Sequence, residues 1–142
     1  MRRVTLMAAL LGVLALGGCA STDIGPSEAE LKANWEAQNV YPQGYKNDLL
    51  AFMRTYLNDP THVRSAMVSP PTRKTVGQGE RYVACMRYNA RNSDGKYMGP
   101  KEGAAVYVSA KLDRFIDVPK EFRELCKEAA YAPFPELEKL TR

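Results

Sequence analysis

The chain has 142 residues, with 20 Lys and Arg against 16 Asp and Glu, for a formal charge of +4. That length suffices for one domain with a modest core, and so small a net charge says little about partners. A single histidine, His62, excludes a multi-histidine metal cluster and would have to serve any Ser-His-Asp triad.

Arg2 and Arg3 precede a thirteen-residue apolar stretch, Val4 to Leu16, followed by small residues. A basic start, a short apolar segment and a small-residue zone are the order of a secretory signal peptide. As a helix the stretch would reach about 20 Å, short of a bilayer's hydrocarbon core. A membrane anchor or a core helix is the alternative. Leu16-Gly17-Gly18-Cys19 then resembles the lipobox of bacterial lipoproteins. The resemblance implies removal of residues 1–18 and a lipid with palmitate-type chains on Cys19. A chance cysteine after an ordinary signal is the competing explanation. Two or more acyl chains hold a protein stably on a bilayer. The expectation is therefore a lipid-anchored cell-envelope protein facing the periplasm. Ala20, where an aspartate retains lipoproteins at the inner membrane in enteric bacteria, points to the outer membrane. The mature 124 residues carry a side-chain sum of +2.

Residues 19–27, with their Pro and Gly, read as lipidated cysteine and tether. Residues 28–142 then read as a single small α+β domain. Ser27 and Glu30 form a capping-box pattern ahead of a helix whose apolar stripe, Leu31 and Trp35, is thin enough to need docking. Tyr45 to Leu57 has the clearest helical period, through Leu49, Leu50, Phe52, Met53, Tyr56 and Leu57. Asn58-Asp59-Pro60 stops it, with Asp59 expected to cap a short following turn. "SAMVS" is expected to form a short strand and "TVGQGE" a glycine loop. In "RYVACMRYN" the alternation places Val83 and Cys85 on one face, and Tyr82, Ala84, Met86 and Tyr88 on the other. "GAAVYVSA" is a second strand, joined to the first by a long hairpin with Asp94-Gly95 at its turn. A helix over 118–130 would bring Cys126 opposite Cys85. The expected fold is α+β: helices first, a small antiparallel sheet, then a C-terminal helix.

With Cys19 assigned to lipid, Cys85 and Cys126 remain, and an oxidising compartment favours bonding them. Two separately buried thiols are the alternative. No histidine spacing accompanies them, so no metal is expected. Between Arg73 and Lys101, seven basic residues face only Glu80 and Asp94, a local +5 against −3 elsewhere. Such a segment can attract anionic surfaces, although a solvated sheet face also accounts for it.

"CMRYNARNSDGKYMG" concentrates Asn, Gly, Arg and Tyr around one hairpin. It resembles a motif of small proteobacterial envelope proteins of unknown function, C-x-x-V-N-A-K-N-x-x-G-x-Y-x-G, through Cys85, Asn89, Ala90, Arg91, Asn92, Gly95, Tyr97 and Gly99. Tyr88 and Met86 depart from the Val and Gly common there. The resemblance implies fold and envelope location, and no activity. From the residues themselves, Asn92 and Gly95 suit positive φ, and Asn89 could bond nearby backbone. Arg91 and Lys96 could meet an anion between Tyr88 and Tyr97. A purely structural hairpin is the other reading.

Glu121, Glu124 and Glu128 follow helical spacing with Arg123 and Lys127 and read as a solvated face. Gly77-x-Gly79 lacks the remainder of a phosphate loop. The sequence therefore points to a non-enzymatic envelope module without cofactor or metal. Expected partners are the membrane through Cys19, and an envelope protein, peptidoglycan or anionic lipid, with no nucleic acid. A small carboxylate hydrolase, or an accessory inserting its hairpin into a partner, are the alternatives.

Overall fold

The computed structural model describes residues 25–141. The expected signal peptide, Cys19 and most of the expected tether fall outside the described residues. Helix α1 (Glu28–Ala37) and helix α2 (Tyr45–Tyr56) lead into five strands: β1 (Asp59–Val68), β2 (Thr72–Val76), β3 (Gly79–Arg91), β4 (Lys101–Val108) and β5 (Lys111–Ile116). Helix α3 (Pro119–Cys126), a two-residue strand β6 (Ala132–Pro133) and a one-turn helix α4 (Pro135–Glu138) follow. The six strands form one antiparallel sheet in the order β5-β4-β3-β1-β6, with β2 beside β3 beyond the end of β1. The fold is α+β, as expected.

β3 is thirteen residues long because its sequence alternates cleanly. Ala84, Met86 and Tyr88 enter a core under α2 and the C-terminal segment, where Leu49, Met53, Tyr107, Phe134 and Leu137 are fully buried. Val83 and Cys85 enter a second core with Ala104, Val106, Ile116, Phe122 and Cys126 beneath α3. Cys85 and Cys126 are bonded across that layer, with Cα atoms 5.8 Å apart. α3 ends at Cys126 rather than running to residue 130. The chain turns there, Ala129 N–H bonding the Cys126 carbonyl, so that β6 can reach β1.

Two strand expectations are corrected, and a third strand, β5, has none. Asp59 and Pro60 open β1 instead of a helical turn, and the strand runs well before "SAMVS". Its alternation is broken by two register shifts against β3, with His62 and Ser65 at φ 60° and 52°. The bulges let Val63, Ala66 and Val68 all face the same core. β2 extends into "TV", with only Gly77 and Gln78 turning into β3. β5 follows a two-residue turn of Ser109 and Ala110, both at positive φ, without the Asn or Gly that ordinarily signals one.

α1 buries no side chain completely and is held by polar contacts. Ser27 and Glu30 make the expected capping box. Trp35 Nε1 donates to the Glu80 carbonyl at 2.7 Å, and Arg81 donates to the Trp35 carbonyl at 2.7 Å while its guanidinium lies 3.5 Å from the indole centroid. Burial pushes the Arg81 pKa down, so these bonds compensate a desolvated charge. Two strand glycines are roofed by aromatic rings, Gly79 by Trp35 and Gly103 by Phe115, and a Cβ at either would collide with the ring.

Gly103→Ala is therefore expected to expel Phe115 from its stack with Phe52 and Tyr56 and cost about 1–3 kcal/mol, read from the urea midpoint. An unchanged midpoint would show that the ring does not pack there. Replacing both Cys85 and Cys126 by Ser is expected to cost about 2–5 kcal/mol, and reduction of the wild type should cost as much. Equal stability of oxidised and reduced protein would deny the bond its role.

Candidate functional site

α3 covers only the half of its sheet face nearer the start of β3. Beyond Cys85, the same alternation brings Arg87, Asn89 and Arg91 onto the face that α3 leaves open. β1 adds Arg64 opposite Asn89 and Asp59 opposite Arg91, and β4 adds Glu102 opposite Arg87. Tyr97 bridges to Arg91 from the hairpin loop, and Tyr131, just after α3, lies against Arg87.

The charges on this face are unequally used. Arg91 Nε donates to Asp59 Oδ2 at 2.7 Å, and its Nη2 donates to His62 Nδ1 at 2.8 Å. The Asp59 carboxyl is held down at about 2, first by the Thr61 hydroxyl at 2.6 Å, then by the Thr61 N–H and Arg91. Arg87 Nε donates to Glu102 at 2.8 Å while its guanidinium lies 4.2 Å from the Tyr131 ring centroid. Arg64 lies 4.1 Å from the Tyr97 ring centroid and makes no ion pair among the described residues. Three guanidinium groups against two carboxylates leave the excess positive charge on exposed Arg64. Tyr97 is itself fixed by its hydroxyl, which donates to the His62 carbonyl at 2.6 Å. The positive φ at His62 thus aims a carbonyl at the loop.

Among the described residues, two buried side-chain polar atoms have no partner: Asn89 Oδ1 and Tyr131 OH. Both adjoin Arg87. Burial also pushes the Tyr131 phenol pKa up, so its hydroxyl stays protonated.

The structure brings together Asn89, Arg91 and Tyr97 from the sequence-expected set and separates the others. Tyr88 is a correction: it is 4% exposed and packs in the opposite core, because it shares the alternation of Ala84 and Met86. Arg91 is tied to Asp59 and His62. Asn92 keeps a negative φ and acts through its side chain, Oδ1 accepting from the Asp94 and Lys96 N–H groups at 3.0 and 2.9 Å. Gly95 takes the positive φ, 75°, as expected. Lys96 stands exposed on that turn. The basic segment does not form one patch. Arg73 pairs with Glu36 and Glu80, and Arg81 is buried under Trp35, both at the far end of β3. Arg64 and Tyr131 lie outside the segment, so only their stacking partners, made by the fold, could mark them.

No group of three or more His, Cys, Asp or Glu positioned for a metal occurs among the described residues. No described helix is long and apolar enough to cross a membrane. Two grooves among the described residues lie elsewhere, one between α1 and the β2–β3 turn and one between α3 and β5, where Glu121 and Glu124 line a wall with Arg114 and Lys120. Comparison with protein-family models, curated proteins and solved structures finds no match to this chain.

A carboxylate stabilised in the folded state contributes stability above its unfolded pKa and loses it as pH falls through the folded value. The stability gap between wild type and Asp59→Asn should therefore be full above about pH 4 and close on approaching about pH 2. Denaturant unfolding across that range reads it. A gap independent of pH would show that Asp59 is not held ionised by Thr61 and Arg91.

Proposed function

We propose that this protein is a lipid-anchored envelope module that binds rather than catalyses, attached through Cys19 and presenting the open end of its sheet. The observation that carries the reading is the succession Arg2-Arg3, the apolar segment Val4–Leu16 and Leu16-Gly17-Gly18-Cys19. The bond between Cys85 and Cys126 supports it, because disulfides persist in oxidising compartments such as the periplasm. Its formation also leaves Cys19 as the one cysteine outside the pair. A binding role is supported by the chemistry of the open face. Its acids, Asp59 and Glu102, are each held by an arginine and so are committed to charge pairing rather than proton transfer.

Mass spectrometry of protein purified from native membranes is expected to find an N-terminus at Cys19 bearing acyl chains. Cys19→Ala should move the protein out of the membrane fraction. A polypeptide beginning at Met1 with no added lipid would overturn the reading.

A further inference from the structure

The open end of the sheet holds two guanidinium groups with N–H groups to spare: Arg64 makes no ion pair among the described residues, and Arg87 pairs with Glu102 through Nε, leaving its terminal nitrogens. Arg64 faces Asn89 across the β1–β3 pair, and Arg87 is the next residue on that face of β3. Diagonal neighbours of this kind have Cα atoms about 7–8 Å apart. Each guanidinium lies against a tyrosine ring, Arg64 on Tyr97 and Arg87 on Tyr131. Stacking fixes the plane of each group and leaves N–H groups at its edge for a carboxylate, all of them on Arg64 and the terminal ones on Arg87, whose Nε is held by Glu102. The two unpartnered buried polar atoms among the described residues, Asn89 Oδ1 and Tyr131 OH, lie beside the same arginines. Unmet hydrogen-bonding capacity gathered at one place needs an explanation, and a ligand supplies one.

The position of the face narrows the ligand. α1, which follows the tether, docks on Glu80 and Arg81, and the groove it forms includes Glu28 and Gln78. Arg91 lies ten residues further along β3, about 33 Å away at the rise of an extended strand. The α1 end therefore meets the anchoring bilayer first, and the arginine face points to material standing off from it.

We propose that the face between Arg64 and Arg87 docks the carboxylate-bearing stem peptides of peptidoglycan. This deepens the envelope reading and rests on it. A stem peptide offers carboxylates to the spare N–H groups of Arg64 and Arg87, both exposed on this face. The phosphodiester headgroups of the anchoring bilayer carry the same charge but lie toward the other end.

The test is co-sedimentation of the purified, detergent-solubilised full-length protein with purified peptidoglycan sacculi. Wild type should pellet at low ionic strength and be released by salt. Sacculi whose carboxylates have been amidated should not retain it. Arg64→Ala and Arg87→Ala should each weaken retention by about tenfold, the loss of one charged hydrogen-bonding partner. Arg64 is exposed, so Arg64→Gln keeps the test available if Arg87→Ala fails to fold. Protein that stays in the supernatant, binds amidated sacculi equally, or prefers phosphatidylglycerol vesicles overturns the proposal, as would retention of both variants at the wild-type level. The mass at Cys19 is measured on the same preparation. An acylated protein that ignores sacculi defeats this inference alone, whereas an unacylated one defeats the anchor.

Discussion

Cys85 sits in the middle of β3, the longest strand and one paired along both edges, and its bond to Cys126 fastens α3 over one face of the sheet. The dimensions of these two elements determine much else. An eight-residue helix is about 12 Å long, whereas thirteen residues of strand extend about 43 Å. A helix tethered over Cys85 therefore cannot also cover Arg87, Asn89 and Arg91. The uncovered half of that face has to be polar, and the sequence changes character there, from Val83 and Cys85 to Arg87, Asn89 and Arg91. The opposite face stays apolar to Ala90 because α2 and the C-terminal segment run under it.

The polar groups so exposed are not left loose. Two register shifts in β1 bring Asp59 back beside Arg91 and turn the His62 carbonyl toward Tyr97. Left-handed φ at His62 and Ser65 costs conformational energy, which the surrounding bonds offset. Two of these are the Asp59–Arg91 pair and the bond from Ala66 N–H to Glu138 at 2.9 Å. The same bulges conceal the strand from a period-two reading, since Val63, Ala66 and Val68 reach one core at unequal spacing.

The charge of the molecule is distributed by this architecture and not by chain order. Seven basic residues close in sequence are spread along β2, β3, the hairpin loop and the start of β4. Arg73 and Arg81 hold α1 at one end, and Arg87 and Arg91 serve the other. Each of these four is committed to a contact within the fold. Arg64, isolated in sequence from that segment, carries the excess charge because its neighbour is an aromatic ring and not an acid.

The features legible in the amino-acid sequence are those decided within one element or by counting. The three- and four-residue recurrence of α2, the alternation of β3, the Ser27–Glu30 cap and the even number of cysteines remaining beyond Cys19 are of this kind. Each follows from backbone geometry or bonding parity. Strands β2, β5 and β6 leave no such mark, because a short polar strand acquires its identity from the partner that receives its hydrogen bonds. The Ser109-Ala110 turn lacks the usual residues for the same reason: Gln38, from another part of the chain, accepts the Ser109 N–H. The site divides likewise. That Asn89, Arg91 and Tyr97 share a hairpin is visible in their spacing. That Tyr88 points inward, Arg91 is already paired, and Arg64 and Tyr131 complete the face is decided by cross-strand register and by how far one short helix reaches. Neither can be expressed in a local pattern, because both depend on residues dozens of positions apart meeting in space.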